Sequence, residues 1–222
     1  MPPATPSGTR AAPFGAFLHR VDLFFDRELT ARSRILILIG VLLVIPVYVF
    51  PLYRMTLIAN QFPDGLDLSI YAYKLEGGRS AARDDLREIN TLNHYIGMRP
   101  LLESDFSEFN WLPLAVGAFA LLALRAVVIG RMSKLIDLVV LFVYFGLFSF
   151  WGFYRRLYEY GHNLDPTAPV KVKPFTPPLI GTQQIANFTV TNVPDVASYL
   201  MVGFAVCLLL AVWHSARHTP VE

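Results

Sequence analysis

Along the chain, apolar positions collect into four long runs separated by segments of mixed polarity. Residues 35–53 (ILILIGVLLVIPVYVFPLY), 111–130 (WLPLAVGAFALLALRAVVIG), 135–154 (LIDLVVLFVYFGLFSFWGFY) and 196–213 (VASYLMVGFAVCLLLAVW) are nearly free of charge. At about 1.5 Å per helical residue, each matches a hydrocarbon layer of about 30 Å. In lipid the backbone must satisfy its own hydrogen bonds, which selects helix for isolated runs of this length. The pattern predicts an all-α integral membrane protein: a four-transmembrane-helix bundle with a small helical and loop layer on one side.

Lys and Arg near the span ends set the expected orientation. Arg27, Arg32 and Arg34 precede the first span, and Arg125, Arg131 and Lys134 surround the turn between the second and third. By the positive-inside rule, the arm 1–34, the turn 131–134 and the tail 214–222 face the cytoplasm, so both termini do. Segments 54–110 and 155–195 then face outward. Arg155 and Arg156 run against this rule and are expected to snorkel to headgroups or pair with carboxylates such as Glu159.

Weaker periodicities fill the remaining segments. Phe14, Phe17, Leu18, Val21, Phe24 and Phe25 recur at helical spacing, which predicts an amphipathic helix on the cytoplasmic membrane surface or against a partner. Leu86, Ile89, Leu92 and Ile96 mark a second helix, with Asp84, Asp85 and Glu88 in its early turns and a stop at Gly97 and Pro100. The stretch DGLDLSIYAY fits a strand or a short surface helix equally well. Four prolines within residues 166–177 favour an extended course, and Gly161 is the expected stop of the third span.

Composition agrees with a membrane protein: 54% of residues are hydrophobic and only 16% charged, far from a soluble globule. The net charge of +2 gives no basis for a nucleic-acid partner. The single cysteine excludes an internal disulfide and a cysteine-cluster metal site. No histidine lies within a span and no CxxCH occurs, so no haem is expected. No P-loop, HExxH or G-x-S-x-G is present, and no pocket for acid–base work is evident, so the expectation is a protein that is not an enzyme. Arg125 and Asp137 are the only strongly ionisable residues in the spans; their expected role is a structural ion pair stapling the hairpin of spans two and three.

The candidate chemistry lies outside the spans. In INTLNHYIGM, helical spacing puts Asn90, His94 and Met98 on one face, and His162 sits at the outer end of the third span on the same side of the membrane. Imidazole and thioether together suit copper and poorly suit calcium or magnesium. On this reading His94, Met98 and His162 are metal ligands, with Asn90 or Asn93 orienting an imidazole. The alternative gives His94 an ordinary hydrogen bond and Met98 a packing role.

The segments DLREINTLNHYIGM and YGHNLDPTAPVKV…PPLIGTQQIANF resemble those of four-span membrane proteins encoded beside copper enzymes of bacterial respiration, notably in atypical (clade II) nitrous-oxide reductase gene clusters. The likeness covers roughly residues 35–213. It implies a bacterial inner-membrane accessory protein facing the periplasm, handling copper for or assembling an exported respiratory metalloenzyme. Alternatives are a structural or docking subunit of a membrane bioenergetic complex, and a quinol-interacting subunit using His94 or His162 with Tyr95. The expected partners are the lipid bilayer and an exported copper enzyme or respiratory complex subunits.

Overall fold

The computed structural model describes residues 13–80, 83–185 and 187–217; expectations for residues 1–12 and 218–222 lie outside them. Six α-helices are present among these residues: α1 (Pro13–Phe25), α2 (Ala31–Val44), α3 (Asp85–Tyr95), α4 (Glu108–Ile129), α5 (Met132–His162) and α6 (Val196–Arg217). Four segments, Ala31–Tyr48, Glu108–Ile129, Met132–His162 and Val196–Arg217, are long and apolar enough to cross a membrane. These four helices are compatible with a helical membrane protein.

The bundle is closest where α2 meets α6. Gly40 leaves room for Phe204: a methyl group at Gly40 would lie 2.9 Å from the Phe204 ring. At the end remote from the sheet described below, the buried hydroxyls of Ser33 and Ser215 meet at 2.7 Å, and Ser33 Oγ donates to Ala211 O at 2.9 Å. Thr30 caps α2 by accepting from Ser33 N at 3.2 Å, and its Oγ1 lies 3.0 Å from His214 Nδ1. Polar groups that find partners between helices hold them together where the hydrophobic effect cannot.

Gly130, with φ of 70°, ends α4 in the left-handed conformation and permits a two-residue turn into α5. The strand-like residues after α1 pair with this turn: Leu29 N donates to Gly130 O at 2.7 Å, and Met132 N donates to Arg27 O at 2.8 Å. The hairpin is therefore held by backbone bonds. The expected Arg125–Asp137 staple is not formed; the Asp137 carboxylate instead accepts from Lys134 Nζ at 3.3 Å, one turn away on the same exposed helix. Local i,i+3 geometry brings Lys134 within reach without any packing between helices.

The layer outside the bundle is not all-helical, and here the all-α expectation is corrected. It holds a five-stranded antiparallel sheet built from β1 (Tyr53–Ala59), β2 (Phe62–Ile70), β3 (Leu75–Gly77), β6 (Gly181–Ile185) and β7 (Phe188–Pro194), in the order β3-β2-β1-β7-β6. A small ribbon of β4 (Arg79–Ser80) and β5 (Arg83–Asp84) precedes α3. Helix α2 gives way to a 3-10 turn over Ile45–Tyr48, where Pro46 interrupts the α-helical ladder. Consequently Tyr53, the last residue of the expected first span, opens β1.

Alternation sorts the strand residues between two faces. Tyr53, Met55, Leu57 and Ala59 turn inward with Leu66, Leu68, Phe188 and Val190, while Arg54, Thr56 and Ile58 turn outward. Apart from Tyr53, the inward set packs on Ile89 and Leu92 of α3 and on Ile96 just past its end, forming a second apolar core distinct from that of the bundle. Strands β1 and β7 come from two different segments between the long apolar helices and pair in register from Tyr53↔Pro194 to Ala59↔Phe188.

Candidate functional site

Helix α3 is fixed at its start by two neighbouring carboxylates. Asp84 caps it, accepting from Leu86 N at 3.1 Å and Arg87 N at 3.4 Å. Asp85 is almost wholly buried; it accepts from Asp67 N of β2 at 2.9 Å and from Arg83 Nε at 2.7 Å. A buried carboxylate needs such partners, and here they tie the helix to the sheet. At the other end Gly97, with φ of 81°, turns the chain so closely over the residue 165 loop that a methyl group would lie 2.8 Å from Asp165 O. Asp165 N donates to Gly97 O at 2.8 Å, and Val170 N to Tyr95 O at 3.0 Å.

These bonds bring the two segments carrying the candidate ligands side by side, but the side chains enter three different surroundings. His94 is exposed, with its ring beside Tyr95 at 6.5 Å. Met98 is partly buried against the apolar core under the sheet. His162 stacks on Tyr158 at 3.7 Å, and its Nδ1 lies 3.0 Å from Tyr158 O. Among the described residues, no group of three or more His, Cys, Asp or Glu side chains could hold a metal ion.

The expected supporting asparagines serve the backbone or line the core. Asn90 Oδ1 accepts from Leu101 N at 2.7 Å and its Nδ2 donates to Leu101 O at 3.3 Å, a two-way clasp that fixes the chain after α3. Asn90 thus secures a loop where an imidazole-orienting role was expected. Asn93 is buried; its carbonyl accepts from Met98 N at 2.8 Å, and the residue lines a cavity under the sheet.

That cavity, of about 70 Å³, is bounded by Met55, Leu68, Met98, Phe153, Leu157 and Phe188 among others. It is about half the size of a cavity of about 150 Å³ that holds one benzene ring. Beside it lie polar groups that the spacing of sequence motifs did not mark. Tyr53 packs edge-on to Phe153 at 4.8 Å, and its buried hydroxyl has no hydrogen-bond partner. Burial pushes its pKa up to about 12. Asn192, fully buried on β7, donates to Pro178 O at 2.6 Å while its Oδ1 is unpaired.

Helix α5 joins the two layers. Its 31 residues span about 46 Å, so its last two turns rise out of the hydrocarbon layer. Gly161 does not stop the helix; it lies in the last turn, where the absence of a side chain lets the Phe175 carbonyl approach, and its own carbonyl accepts from Phe175 N at 3.1 Å. Arg155 Nε donates to Glu159 at 2.8 Å, and Arg156 reaches Glu108 of α4 at 3.2 Å and lies over the Phe106 ring. Both arginines thus have carboxylate partners.

The fold combines four helices long and apolar enough to cross a membrane with an antiparallel sheet backed by one helix. Comparison of the chain with known protein families, curated proteins and solved structures finds no match.

Proposed function

We propose that the protein is a non-catalytic membrane accessory subunit that anchors and orients a partner at the membrane surface. The observation that carries this reading is the direct continuation of the sheet's central strands into the bundle: β1 follows α2, and β7 leads into α6. Leu52 O accepts from Asp195 N at 2.9 Å and from Ser198 Oγ at 2.7 Å, so strand pairing and helix pairing share one joint. A sheet mounted this way holds its outward face at a fixed height and angle. That face carries a polar row in register across four strands, Thr182, Thr191, Thr56 and Asp67. Hydroxyl contacts of 2.9 Å (Thr182–Thr191) and 2.7 Å (Thr56–Asp67) pre-order it for a wet, polar protein interface.

The positive charges of the opposite side support a sheet on the extracytoplasmic face and cytoplasmic termini. On the resemblance to proteins of copper-enzyme gene clusters, the partner proposed is an exported respiratory metalloenzyme. Copper handling through His94, Met98 and His162 is the weaker reading, because Met98 would have to leave the apolar core and His162 its stack on Tyr158.

Isolation of the full chain from its own membranes in mild detergent tests this. The expected result is a stoichiometric exported partner, released when Thr56 and Thr191 are both replaced by Lys. Recovery of the chain alone with one copper per molecule, lost in a His94→Ala/Met98→Ala variant, would overturn docking in favour of metal handling.

A further inference from the structure

The two ends of the sheet present different residues, and backbone register fixes which end lies near the bundle. Leu52 N donates to Ile70 O at 2.8 Å and Leu52 O accepts from Asp195 N at 2.9 Å, so the turn after β2 and the start of α6 lie level with the exit of the first span. That turn, Tyr71 to Lys74, is closed by Tyr71 N donating to Lys74 O at 2.9 Å; Ala72 is buried within it and Tyr73 is exposed. On the opposite edge Gly181 pairs with Asn192, which sets the exposed Ile180 one step nearer the bundle, at the level of Val193. The remote end, by contrast, turns through exposed Asn60 and Gln61.

With the four long helices in a bilayer, the near end of the sheet falls at its border. The sheet-side ends of those helices carry Tyr48, Trp111, Tyr154 and Tyr199, the kind of aromatic belt that marks headgroup depth. Tyr71 and Tyr73 extend that belt beyond the bundle. Lys74 Nζ lies 4.7 Å from the Tyr71 ring centre and 5.7 Å from that of Tyr73, and it bonds Glu76 at 2.7 Å. A ring with a polar tip beside a lysine stem suits a layer that is apolar below and wet above. Sheet order puts the two exposed corners on either side of the helix-linked strands β1 and β7, the turn between β2 and β3 on one flank and Ile180 before β6 on the other. At about 4.8 Å per strand they stand about 15–20 Å apart.

We infer that the near edge of the sheet is seated in the lipid headgroup layer on two feet, Tyr71 and Tyr73 on one flank and Ile180 on the other. Lipid is the occupant because both flanks are furnished at one depth, the depth of the span ends. Lipid surrounds the helix exits on every side, whereas a partner helix or a second copy would cover one flank. The charge of Lys74 is balanced by Glu76, so the contact is aromatic and apolar insertion and does not require anionic lipid. The two feet support the sheet on both sides of the joint at Leu52 and oppose its tilting over α2 and α6. The seat goes beyond the docking reading, whose polar row lies on the sheet's face and not along this edge.

The test uses the full chain with Cys207→Ala, purified and placed in vesicles of phosphatidylcholine, with or without added phosphatidylglycerol. A nitroxide is attached through Tyr73→Cys, Ile180→Cys or, as the control, Gln61→Cys. Positions 73 and 180 should be several-fold less accessible than 61 to a water-soluble nickel chelate and more accessible to oxygen dissolved in the lipid, equally in both vesicle types. In the parent chain with Cys207 retained, a benzophenone side chain in place of Tyr73 should gain the mass of one phospholipid on illumination, and one in place of Gln61 should not. Nickel access at 73 and 180 equal to that at 61, or no lipid adduct from 73, would overturn the inference. So would protection that arises only in native membranes, which gives the edge to a protein partner, or spin–spin broadening between copies, which gives it to a second copy. Protection confined to vesicles with phosphatidylglycerol would overturn it too, since the contact would then be electrostatic. Loss of partner capture with both feet still in lipid would remove the docking reading alone.

Discussion

Tyr53 holds its hydroxyl in the seam between the sheet and α5 with no partner, beside the Phe153 ring. Removing an unpaired buried hydroxyl while keeping the ring should be neutral or stabilising, by up to about 1 kcal/mol. Tyr53→Phe is thus expected to unfold at equal or higher denaturant concentration than the parent. A loss of more than about 1 kcal/mol would show that the hydroxyl is paired in solution. The same burial sets a pH dependence. A phenol whose pKa is pushed up to about 12 in the fold, against 10.0 ordinarily, contributes stability that is complete below pH 10 and lost as pH rises through about 12. Alkaline titration followed by tyrosinate absorbance should show this loss in the parent and a smaller one in Tyr53→Phe. Asp85 is the opposite case, a buried charge with every contact used. Asp85→Ala removes charge-assisted bonds to Asp67 N and Arg83 and should cost about 2 kcal/mol in the outer layer. Hydrogen exchange should then accelerate about 30-fold in α3 and β2 while amides of α2 and α6 keep their protection.

Elements differ in how plainly their residues announce them. The four spans were legible because run length alone decides them: no other structure satisfies twenty consecutive backbone groups in lipid. Helix α3 was legible too, since Asp84, Gly97 and the Leu86–Ile96 periodicity are local signals. The sheet was not. Tyr53 sits at the end of an apolar run and reads as span, β3 has only three residues, and the central pairing joins β1 to a strand more than a hundred residues away. Alternation in TVTNVP and YRMTLIA is too short to outweigh the prolines around it. The candidate ligands enter separate surroundings for a related reason. Spacing placed Asn90, His94 and Met98 on one helix face, but Asn90 is taken by the Leu101 backbone, and Met98, beyond Gly97, turns into a core that only the unseen sheet creates. At the same scale, the α2–α6 pair depends on the notch at Gly40. Gly40→Leu would drive a branched side chain into Phe204, at 2.9 Å already for a methyl, and cannot be relieved without separating the helices. Thermal unfolding in detergent should fall by several degrees, whereas Gly146→Leu, at a position where a methyl group meets nothing within 4 Å, should leave it unchanged.

In the whole molecule, the strand and helix pairings form one closed circuit: α2 continues into β1, β1 pairs with β7, β7 continues into α6, and α6 packs on α2. A circuit closed by non-covalent contacts at two separate levels does not need the covalent connection between its halves. The segment from Asn163 to Ile180 is the natural place to break it, since Val170 and Lys171 are exposed and carry no strand. A protease site inserted after Lys171 should therefore yield two fragments, residues 1–171 and 172–222, that co-purify in mild detergent. The smaller fragment keeps β6, β7 and α6; β7 and α6 find their partners on the larger one, and β6 pairs with β7. If sheet and bundle both contribute, weakening one level should expose the other. Val190→Asp puts a charge into the core beneath β7, where Val190 is 3% exposed, and should leave the uncut protein inserted in the membrane but let the cut fragments part. Fragments that separate without Val190→Asp would mean that the covalent segment, and not the β1–β7 joint, holds the outer layer over the membrane, and the rigid platform on which docking depends would be lost.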